Sequence, residues 1–192
     1  MLKTQLLFED ISYDGTQLAG HWIYQKTGIL GDAIVSFCGP CDVHLEAMAD
    51  LKDKMAGETI AAERMVHFLA EFFGRDLETT VLYQRALITV IKEVTNTLRA
   101  REAEHVSREG DDLYLTTERG RGKLSVSIAT VSLTSGLVHA GVNVSQAGTP
   151  VATAGLIDLA IDEREFAAAV VGAFAAEIDG IDEARFKTRA VL

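Results

Sequence analysis

The sequence has few cysteines, few prolines and fewer basic than acidic residues. Its two cysteines, Cys38 and Cys41, are too few for a disulfide framework or for a zinc site made of thiolates alone. Two prolines, Pro40 and Pro150, against 16 glycines leave few rigid breaks in the chain. The 18 basic residues are outnumbered by 28 acidic ones, which gives a net charge of -10. Such a chain lacks the basic surface that neutralises phosphates, so we expect no nucleic acid partner.

Long apolar runs are also missing, since none reaches the roughly 18 residues that a membrane-spanning helix needs. The first residues, Met1 to Gln5, have no apolar core followed by a small-residue cleavage site. A chain of 192 residues that is 48% hydrophobic can bury a sizeable core. We therefore expect one domain, residues 1–192, located in the cytosol and away from membranes.

Two stretches in the first half have the periodicity of helices. From Glu63 to Arg75, apolar residues form one stripe and polar residues the other, which predicts a helix with His67 and Glu71 on its polar face. Leucine, isoleucine and valine recur at helical spacing from Val81 to Arg101 and predict a second helix.

A third helix is predicted near the end of the chain. Asp162 can cap it, Glu165 would complete a capping box, and Ile161 can pack on Phe166 as a hydrophobic staple. The charged tail from Asp182 to Leu192 is expected to be short structure or a frayed end.

Four shorter stretches are typical of strands, because they are apolar or alternating runs bounded by glycine-rich turns. They span Ala33 to Phe37, Asp111 to Leu115, Lys123 to Val131 and Val138 to Val144. With the helices they predict an α+β fold, a mixed or antiparallel sheet packed with about three helices.

The last two predicted strands each have one oily face and one small, polar face. Alternation places Lys123, Ser125 and Ser127 together on the first strand, and His139 and Asn143 together on the second. Glycine and serine leave room for a ligand there, so we predict that this polar face forms a pocket wall.

His67 and Glu71 lie four residues apart, the spacing of two metal ligands or an acid–base pair on one side of a helix. The alternative is an ordinary solvated pair on a helix surface. A metal would need a third ligand, for which Glu46 and Asp50 qualify by type alone, and we predict no metal site.

Other residues are also open to two interpretations. His21, Trp22 and Tyr24 either line a pocket mouth or cover a sheet edge. His139 either touches a ligand or is a satisfied core histidine. Lys123 either meets an anionic group of a ligand or extends from the strand end into solvent.

Cys38 and Cys41 form a Cys-x-x-Cys motif after a predicted strand, which is the arrangement of thioredoxin-type redox sites. The residues that follow, Asp42 to Leu45, have an extended rather than a helical pattern. The sequence therefore favours a coincidental pair at a strand end over thiol–disulfide exchange.

The sequence is identified as a member of the family called domain of unknown function 366. The motifs that carry this resemblance are Tyr13-Asp14-Gly15, Gly31-Asp32, Met48 to Leu51, Met65 to Phe68, Lys123 to Val131 and Gly141 to Val144. The resemblance covers nearly the whole chain and adds Asp32 to the candidate ligand-binding residues, without supplying a known activity.

The core is also similar to biotin and lipoate protein ligases and to lipoyl transferases, which share a class II synthetase-like fold. The shared features are a lysine-containing strand, a short turn and a strand that ends in Gly-x-Asn-Val. This similarity implies that Lys123 contacts an activated carboxylate or acyl carbonyl, and that Asn143 lies near the acyl group. A fixed cation beside a carbonyl stabilises the charge that develops in acyl transfer.

The sequence departs from those enzymes in two ways. Where transferases have a cysteine nucleophile, this chain has Ala154-Gly155-Leu156. Residues 10–60 lack the ligases' nucleotide-binding segment, although Arg119 to Gly122 can offer phosphate donors.

Three hypotheses follow for the function. The first is an acyl-transfer or carboxylate-activating enzyme in which Lys123 is the catalytic residue. The second is a small-molecule-binding module without chemistry, and the third is a thiol–disulfide oxidoreductase. The sequence does not identify a cofactor, and it leaves a homodimer open.

Overall fold

The computed structural model describes residues 1–191, which form two β-sheets and four α-helices. The strands are β1 (Lys3–Leu6), β2 (Ala33–Val43), β3 (Ile60–Phe73), β4 (Ser107–Glu109), β5 (Asp112–Thr117), β6 (Gly120–Lys123), β7 (Ser125–Val131) and β8 (Ser135–Asn143). The helices are α1 (Trp22–Thr27), α2 (Leu51–Ala56), α3 (Leu77–Leu98) and α4 (Glu163–Lys187), with a turn of 3-10 helix at Leu156–Leu159.

The larger sheet has five strands in the order β1-β2-β3-β8-β7. Its first pair, β1 and β2, is parallel, and the other pairs are antiparallel. A smaller antiparallel sheet has the order β4-β5-β6. The predicted α+β class with a mixed sheet is therefore confirmed.

The long helices α3 and α4 pack on one face of the five-stranded sheet. Alternate residues of the central strand β3, among them Phe68 and Phe72, meet Phe166 and Phe174 of α4 in this core. The other face of the sheet carries a second buried cluster that includes Tyr13. Because both faces are covered, β3 has no simple alternation of apolar and polar residues.

The predicted helix from Glu63 to Arg75 is wrong, because this segment belongs to β3. Its apolar residues recur at spacings that also occur in helices, but they are buried on both faces of a central strand. His67 and Glu71 are 0% and 2% exposed and do not lie on a solvated helix surface. They are about 13 Å apart along the strand, at roughly 3.3 Å per residue.

The two other predicted helices are confirmed, with changed ends. The second begins at Leu77 rather than Val81, because the Asp76 side chain accepts a hydrogen bond from the Thr79 N–H at 2.8 Å. In α4 the Asp162 carboxylate accepts from the N–H groups of the second and third helical residues, each at 2.9 Å. The helix then continues to Lys187, so the prediction of short structure or a frayed end is wrong for residues 182–187. Leu192 lies outside the described residues.

Strand β2 extends beyond the predicted end at Phe37 and contains both cysteines. Its register against β3 shifts between Gly39 and Cys41, which is a β-bulge. At the bulge the Tyr13 N–H donates to the Pro40 carbonyl, and the Tyr13 carbonyl accepts from the Asp42 N–H, each at 2.9 Å. The irregular strand therefore fixes a distant residue, Tyr13, on the sheet face opposite the helices.

The predicted strand from Lys123 to Val131 is divided at Leu124 into β6 and β7, which belong to different sheets. In the register of β7 with β8, Val126 lies opposite Gly141 and Ser127 lies opposite Ala140. Ser125 and Ser127 therefore share the helix side of the sheet, not the side of His139. That part of the predicted polar face is wrong, because strand register rather than alternation decides which faces coincide.

Candidate functional site

A cavity of ≈ 490 Å³ opens on the face of the five-stranded sheet that is opposite α3 and α4, and it extends past the edge strand β7 to the two serines of that strand. Its polar lining includes Tyr13, Cys41, Asp50, Lys52, Asp53, Glu58, Asp111, Asp112, Lys123, Ser125, Ser127, His139 and Asn143. Its apolar lining includes Leu18, Val43, Met48, Met65, Val126 and Ile128. Five of the sequence-predicted site residues, the two serines among them, are thus brought together around one space.

Lys123 is the last residue of β6, at the point where the chain passes from the small sheet to the large one. Its Nζ lies 2.9 Å from the Asp112 Oδ1, and both side chains are about one-third exposed, at 33% and 31%. Burial lowers the pKa of Lys123, but the hydrogen bond and charge of Asp112 outweigh it and raise the pKa above its ordinary value. Lys123 is therefore a charged group at the cavity wall, with ammonium hydrogens left after pairing.

Asn143 joins the end of β8 to this crossing point. Its Nδ2 donates to the Lys123 carbonyl at 3.2 Å, and its backbone N–H donates to the Leu124 carbonyl at 3.0 Å. The residue is 5% exposed, and its Oδ1 accepts no hydrogen bond from residues 1–191. Asn143 thus fixes the backbone that carries Lys123 and retains a carboxamide oxygen for the cavity.

His139 and His67 form a buried pair beneath Tyr13. The Tyr13 and His139 rings stack with centroids 3.7 Å apart and an interplanar angle of 8°. The His139 Nε2 lies 3.1 Å from the His67 Nδ1, and the His67 Nε2 lies 3.3 Å from the Gly39 carbonyl oxygen. Desolvation lowers the pKa of His67 to about 4 and holds that of His139 well below its ordinary value. Both rings are therefore neutral near pH 7.

These contacts fix one arrangement of protons on the two neutral rings. A carbonyl oxygen only accepts, so the His67 Nε2 carries its proton toward Gly39 and its Nδ1 is an acceptor. The His139 Nε2 must then donate to that acceptor, which leaves the His139 Nδ1 without a proton. His139 is the cavity-lining member of this pair, and His67 lies behind it.

The two predicted serines line the cavity edge, but their hydroxyl groups are used within the protein. The Ser125 hydroxyl accepts from the Leu113 N–H at 3.1 Å. The Ser127 hydroxyl accepts from the Gln84 Nε2 at 2.8 Å and donates to the Asp111 Oδ2 at 3.2 Å. Both serines therefore connect the sheet to neighbouring elements.

His21, Asp32 and Glu71 do not line the cavity and have structural partners instead. The Glu71 carboxylate accepts from the His21 N–H at 2.9 Å and from the Ser135 hydroxyl at 2.6 Å. The Asp32 carboxylate accepts from the Phe73 N–H at 2.8 Å. The structure does not bring these three predicted residues into the cavity, and their contacts stabilise the opposite end of the central strand.

Neither cysteine has the surroundings of a reactive thiolate. Desolvation raises the pKa of Cys38 to about 11 and that of Cys41 to about 12. Both lie within β2 rather than at a helix N-terminus, which is where a redox motif lowers its thiol pKa. Nothing in the surroundings of the two thiols points to thiol–disulfide exchange, and the interpretation as a strand segment is supported.

The acidic segment at the cavity mouth was not predicted to line a pocket, although Asp50 was named as a possible metal ligand by type. Asp50 caps α2, and Asp53 and Glu58 follow it around the opening. The pKa of Asp53 is raised, mainly by desolvation and to a smaller extent by the negative charges of Asp50 and Glu58. Their spacing resembles that of any solvated helix, so the sequence carried no signal. Tyr13 was also missed, although its motif was one of those that marked the family.

The family profile described as domain of unknown function (DUF366) matches residues 2–189. This chain belongs to the DUF366 family. An uncharacterised protein of Methanocaldococcus jannaschii is 34% identical over 185 residues, which cover 93% of this chain and 80% of that protein. A protein of unknown function from Pyrococcus horikoshi has 36% identity and a TM-score of 0.88, with 99% of this chain and 100% of that chain covered.

The same DUF366 fold is similar to that of two kinds of ligase. A bi-partite lipoate protein ligase from Thermoplasma acidophilum has a TM-score of 0.56 at 14% identity, covering 93% of this chain and 85% of that one. A biotin protein ligase from Aquifex aeolicus, solved in complex with biotin and ATP, has a TM-score of 0.55 at 13% identity, covering 93% and 72%. The predicted ligase-like fold is thereby confirmed.

Membrane-spanning helices and clusters of metal ligands are both absent from residues 1–191. Within that range no helix combines the length and apolar character that crossing a membrane requires. No three His, Cys, Asp or Glu side chains in the same range converge in a way that would hold a metal ion.

Proposed function

We propose that this cavity binds a small carboxylate or acyl ligand, and that Lys123 contacts its carboxyl or carbonyl group in an acyl-transfer or carboxylate-activating reaction. The observation that carries the proposal is the position of Lys123, a charged lysine on the wall of a large cavity. Of its three ammonium hydrogens, Asp112 accepts one, so donors remain for a ligand oxygen. An oriented cation of this kind stabilises negative charge that develops on a carbonyl oxygen.

The fold supports a ligand of this class. The ligases similar in fold act with lipoate or biotin, which are small carboxylic acids with apolar bodies. The cavity has a matching apolar wall that includes Met65, Val126 and Ile128. At 13% and 14% identity these likenesses establish the fold alone, so the ligand class is our inference from the lining residues.

A binding module without chemistry is the second candidate, favoured by how the other polar groups are engaged. Arg119 pairs with Asp158, and Arg121 pairs with Glu109, so the predicted phosphate donors already have carboxylate partners. The thiol of Cys41 lines the cavity but is protonated, because desolvation raises its pKa to about 12. The predicted phosphate donors and the cysteine of the cavity are therefore engaged or protonated, which favours binding without nucleotide use or a covalent intermediate.

Titration calorimetry with lipoate, biotin and octanoate tests the role of Lys123. In Lys123→Ala we expect affinity to fall about 10- to 100-fold, because a hydrogen bond to a charged group is worth about 1.5–3 kcal/mol. The melting temperature should barely change, since an ion pair this exposed contributes little. The matched control Lys92→Ala, on α3 and outside the cavity, should bind as the wild type does.

Unchanged affinity in Lys123→Ala would contradict the proposed contact. If the protein binds one of these carboxylates, a second assay distinguishes the enzyme from the binding module. Release of pyrophosphate from ATP that depends on the bound carboxylate would support the enzyme, and binding without turnover would support the module.

A further inference from the structure

Two polar atoms of buried residues at the cavity have no partner among residues 1–191. The Tyr13 hydroxyl and the Asn143 Oδ1 make no hydrogen bond to residues 1–191, although the two residues are only 3% and 5% exposed. The one fully occluded side-chain polar atom without a partner in that range is the Arg99 Nε. Because the Tyr13 hydroxyl and the Asn143 Oδ1 also lack a partner but are not fully occluded, both atoms keep some accessible surface. Both residues line the cavity.

A third atom of this kind belongs to His139. Its Nδ1 is unprotonated, because the Nε2 donates to His67, and none of the residues 1–191 donates to the Nδ1. The Asn143 Oδ1 and the His139 Nδ1 are both acceptors, and a tyrosine hydroxyl also accepts. Buried acceptors of this kind are satisfied in folded proteins, by protein groups, water or ligand.

The charges around the cavity favour the same kind of ligand. Its lining carboxylates, which belong to Asp50, Asp53, Glu58, Asp111 and Asp112, outnumber its two lysines. Asp112 is held beside the Lys123 ammonium, and Asp111 lies 3.2 Å from the Arg85 guanidinium. The surplus negative charge therefore belongs to Asp50, Asp53 and Glu58, which have no salt bridge among residues 1–191, and the charge of Asp53 also interacts with Lys123. A purely anionic ligand that approaches Lys123 would be repelled by these carboxylates. A ligand that also carries a cationic group would be attracted by them.

We propose that the ligand is a carboxylate or acyl compound that also carries a protonated primary amine. Its carboxyl end would contact Lys123, and this part rests on the proposed function. Its ammonium group would donate to acceptors of the cavity, namely the Tyr13 hydroxyl, the Asn143 Oδ1, the His139 Nδ1 and the carboxylates of the mouth. A plain fatty acyl ligand offers these atoms no donor.

Four probes of equal chain length test the inference by calorimetry: octanoate, octylamine, and octanoate with an amino group at either its α- or its ω-carbon. We expect at least one amino form to bind at least about tenfold more tightly than octanoate, as a charge-assisted hydrogen bond of about 1.5 kcal/mol implies. This advantage should shrink as salt is raised, because exposed charges are screened.

Variants of the cavity lining test whether the tighter binding of the amino forms depends on the proposed acceptors. Tyr13→Phe keeps the ring that stacks on His139 and removes only the hydroxyl, and Asp53→Asn removes one charge of the mouth. Each should weaken the amino form severalfold more than octanoate. The control Glu93→Gln, an exposed carboxylate of α3 outside the cavity, should change neither.

The outcomes separate this inference from the proposed function. If octanoate binds as tightly as both amino forms, the ligand needs no amine and the inference is overturned. The proposed contact between Lys123 and the carboxyl group would be unaffected. Octylamine could instead bind as tightly as the amino forms, with an affinity that Lys123→Ala does not change. That result would support recognition of an ammonium group and overturn the contact between Lys123 and a carboxyl group. Failure of all four probes to bind at millimolar concentration would overturn the inference.

Discussion

The two faces of the five-stranded sheet differ in composition, although they belong to the same strands. Toward α3 and α4 the central strand presents a run of apolar side chains, Val66, Phe68, Ala70 and Phe72, none more than 1% exposed. Toward the opposite face it presents Met65, His67, Leu69 and Glu71. The first face stabilises the fold through burial, and the second combines structural hydrogen bonds with polar atoms left for a ligand. Substitutions on the two faces should therefore affect different properties.

The largest expected effect belongs to the helix side. Phe68→Ala removes a fully buried ring that packs edge-on against Phe166, and we expect the free energy of unfolding to fall by about 3–5 kcal/mol. Urea denaturation measures this loss, with the fully exposed Leu133→Ala as control. A loss below about 1 kcal/mol would mean that this face does not hold the fold.

On the cavity side, stability should depend on pH through the buried histidines. The unfolded chain takes up protons on histidine below about pH 6.5, whereas folded His67 does so only near its pKa of about 4. The unfolded state therefore binds more protons between these values, and stability falls as the pH falls. We expect the loss to rise from about 0.7 kcal/mol per pH unit at pH 6.5 toward about 1.4 kcal/mol per unit at lower pH for each histidine of the pair.

Urea denaturation between pH 6.5 and 5 measures this slope. It should be smaller in His139→Phe, which keeps a ring to stack on Tyr13 and removes one titrating group. The exposed His44→Gln serves as control. An unchanged slope in His139→Phe would show that His139 does not stay neutral in the folded protein.

Glu71 should contribute to stability and not to binding, although it lies on the cavity-side face. Glu71→Ala deprives the His21 N–H and the Ser135 hydroxyl of their acceptor, and we expect a loss of about 2 kcal/mol. Ligand affinity, measured by calorimetry, should stay within about twofold of the wild type. A tenfold weaker affinity with normal stability would return Glu71 to the site.

The smallest effect is expected at the two cysteines. With a pKa of about 11 for Cys38, roughly one thiol in a thousand is ionised at pH 8. Iodoacetamide should therefore modify the native protein at least about tenfold more slowly than the urea-unfolded chain, as followed by mass spectrometry. Equal rates would show that a reactive thiolate is present after all.

The sequence was most informative where local patterns decide the structure. The Asp162 cap and the periodicity of Val81 to Arg101 located the two long helices, because these signals lie within one element. The segment of β3 was assigned to a helix because it is covered on both faces, which removes the alternation that marks a strand.

The candidate site was partly predictable for the same reason. Lys123, His139 and Asn143 follow from the patterns of two strands and from the ligase resemblance, and all three line the cavity. Tyr13 and the acidic segment after Asp50 reach the cavity through a bulge in β2 and an irregular connection, and neither produces a periodic signal. Long-range placement of this kind depends on strand register and packing.

Native mass spectrometry of the purified protein tests most directly whether the cavity side of the sheet exists to bind a ligand. We predict a small molecule that remains bound to the wild type and to the matched control Lys92→Ala, and that is lost from Lys123→Ala while its thermal unfolding stays as in the wild type. Equal retention of the molecule by Lys123→Ala would contradict the account. Addition of the released molecule to the empty protein should restore the complex.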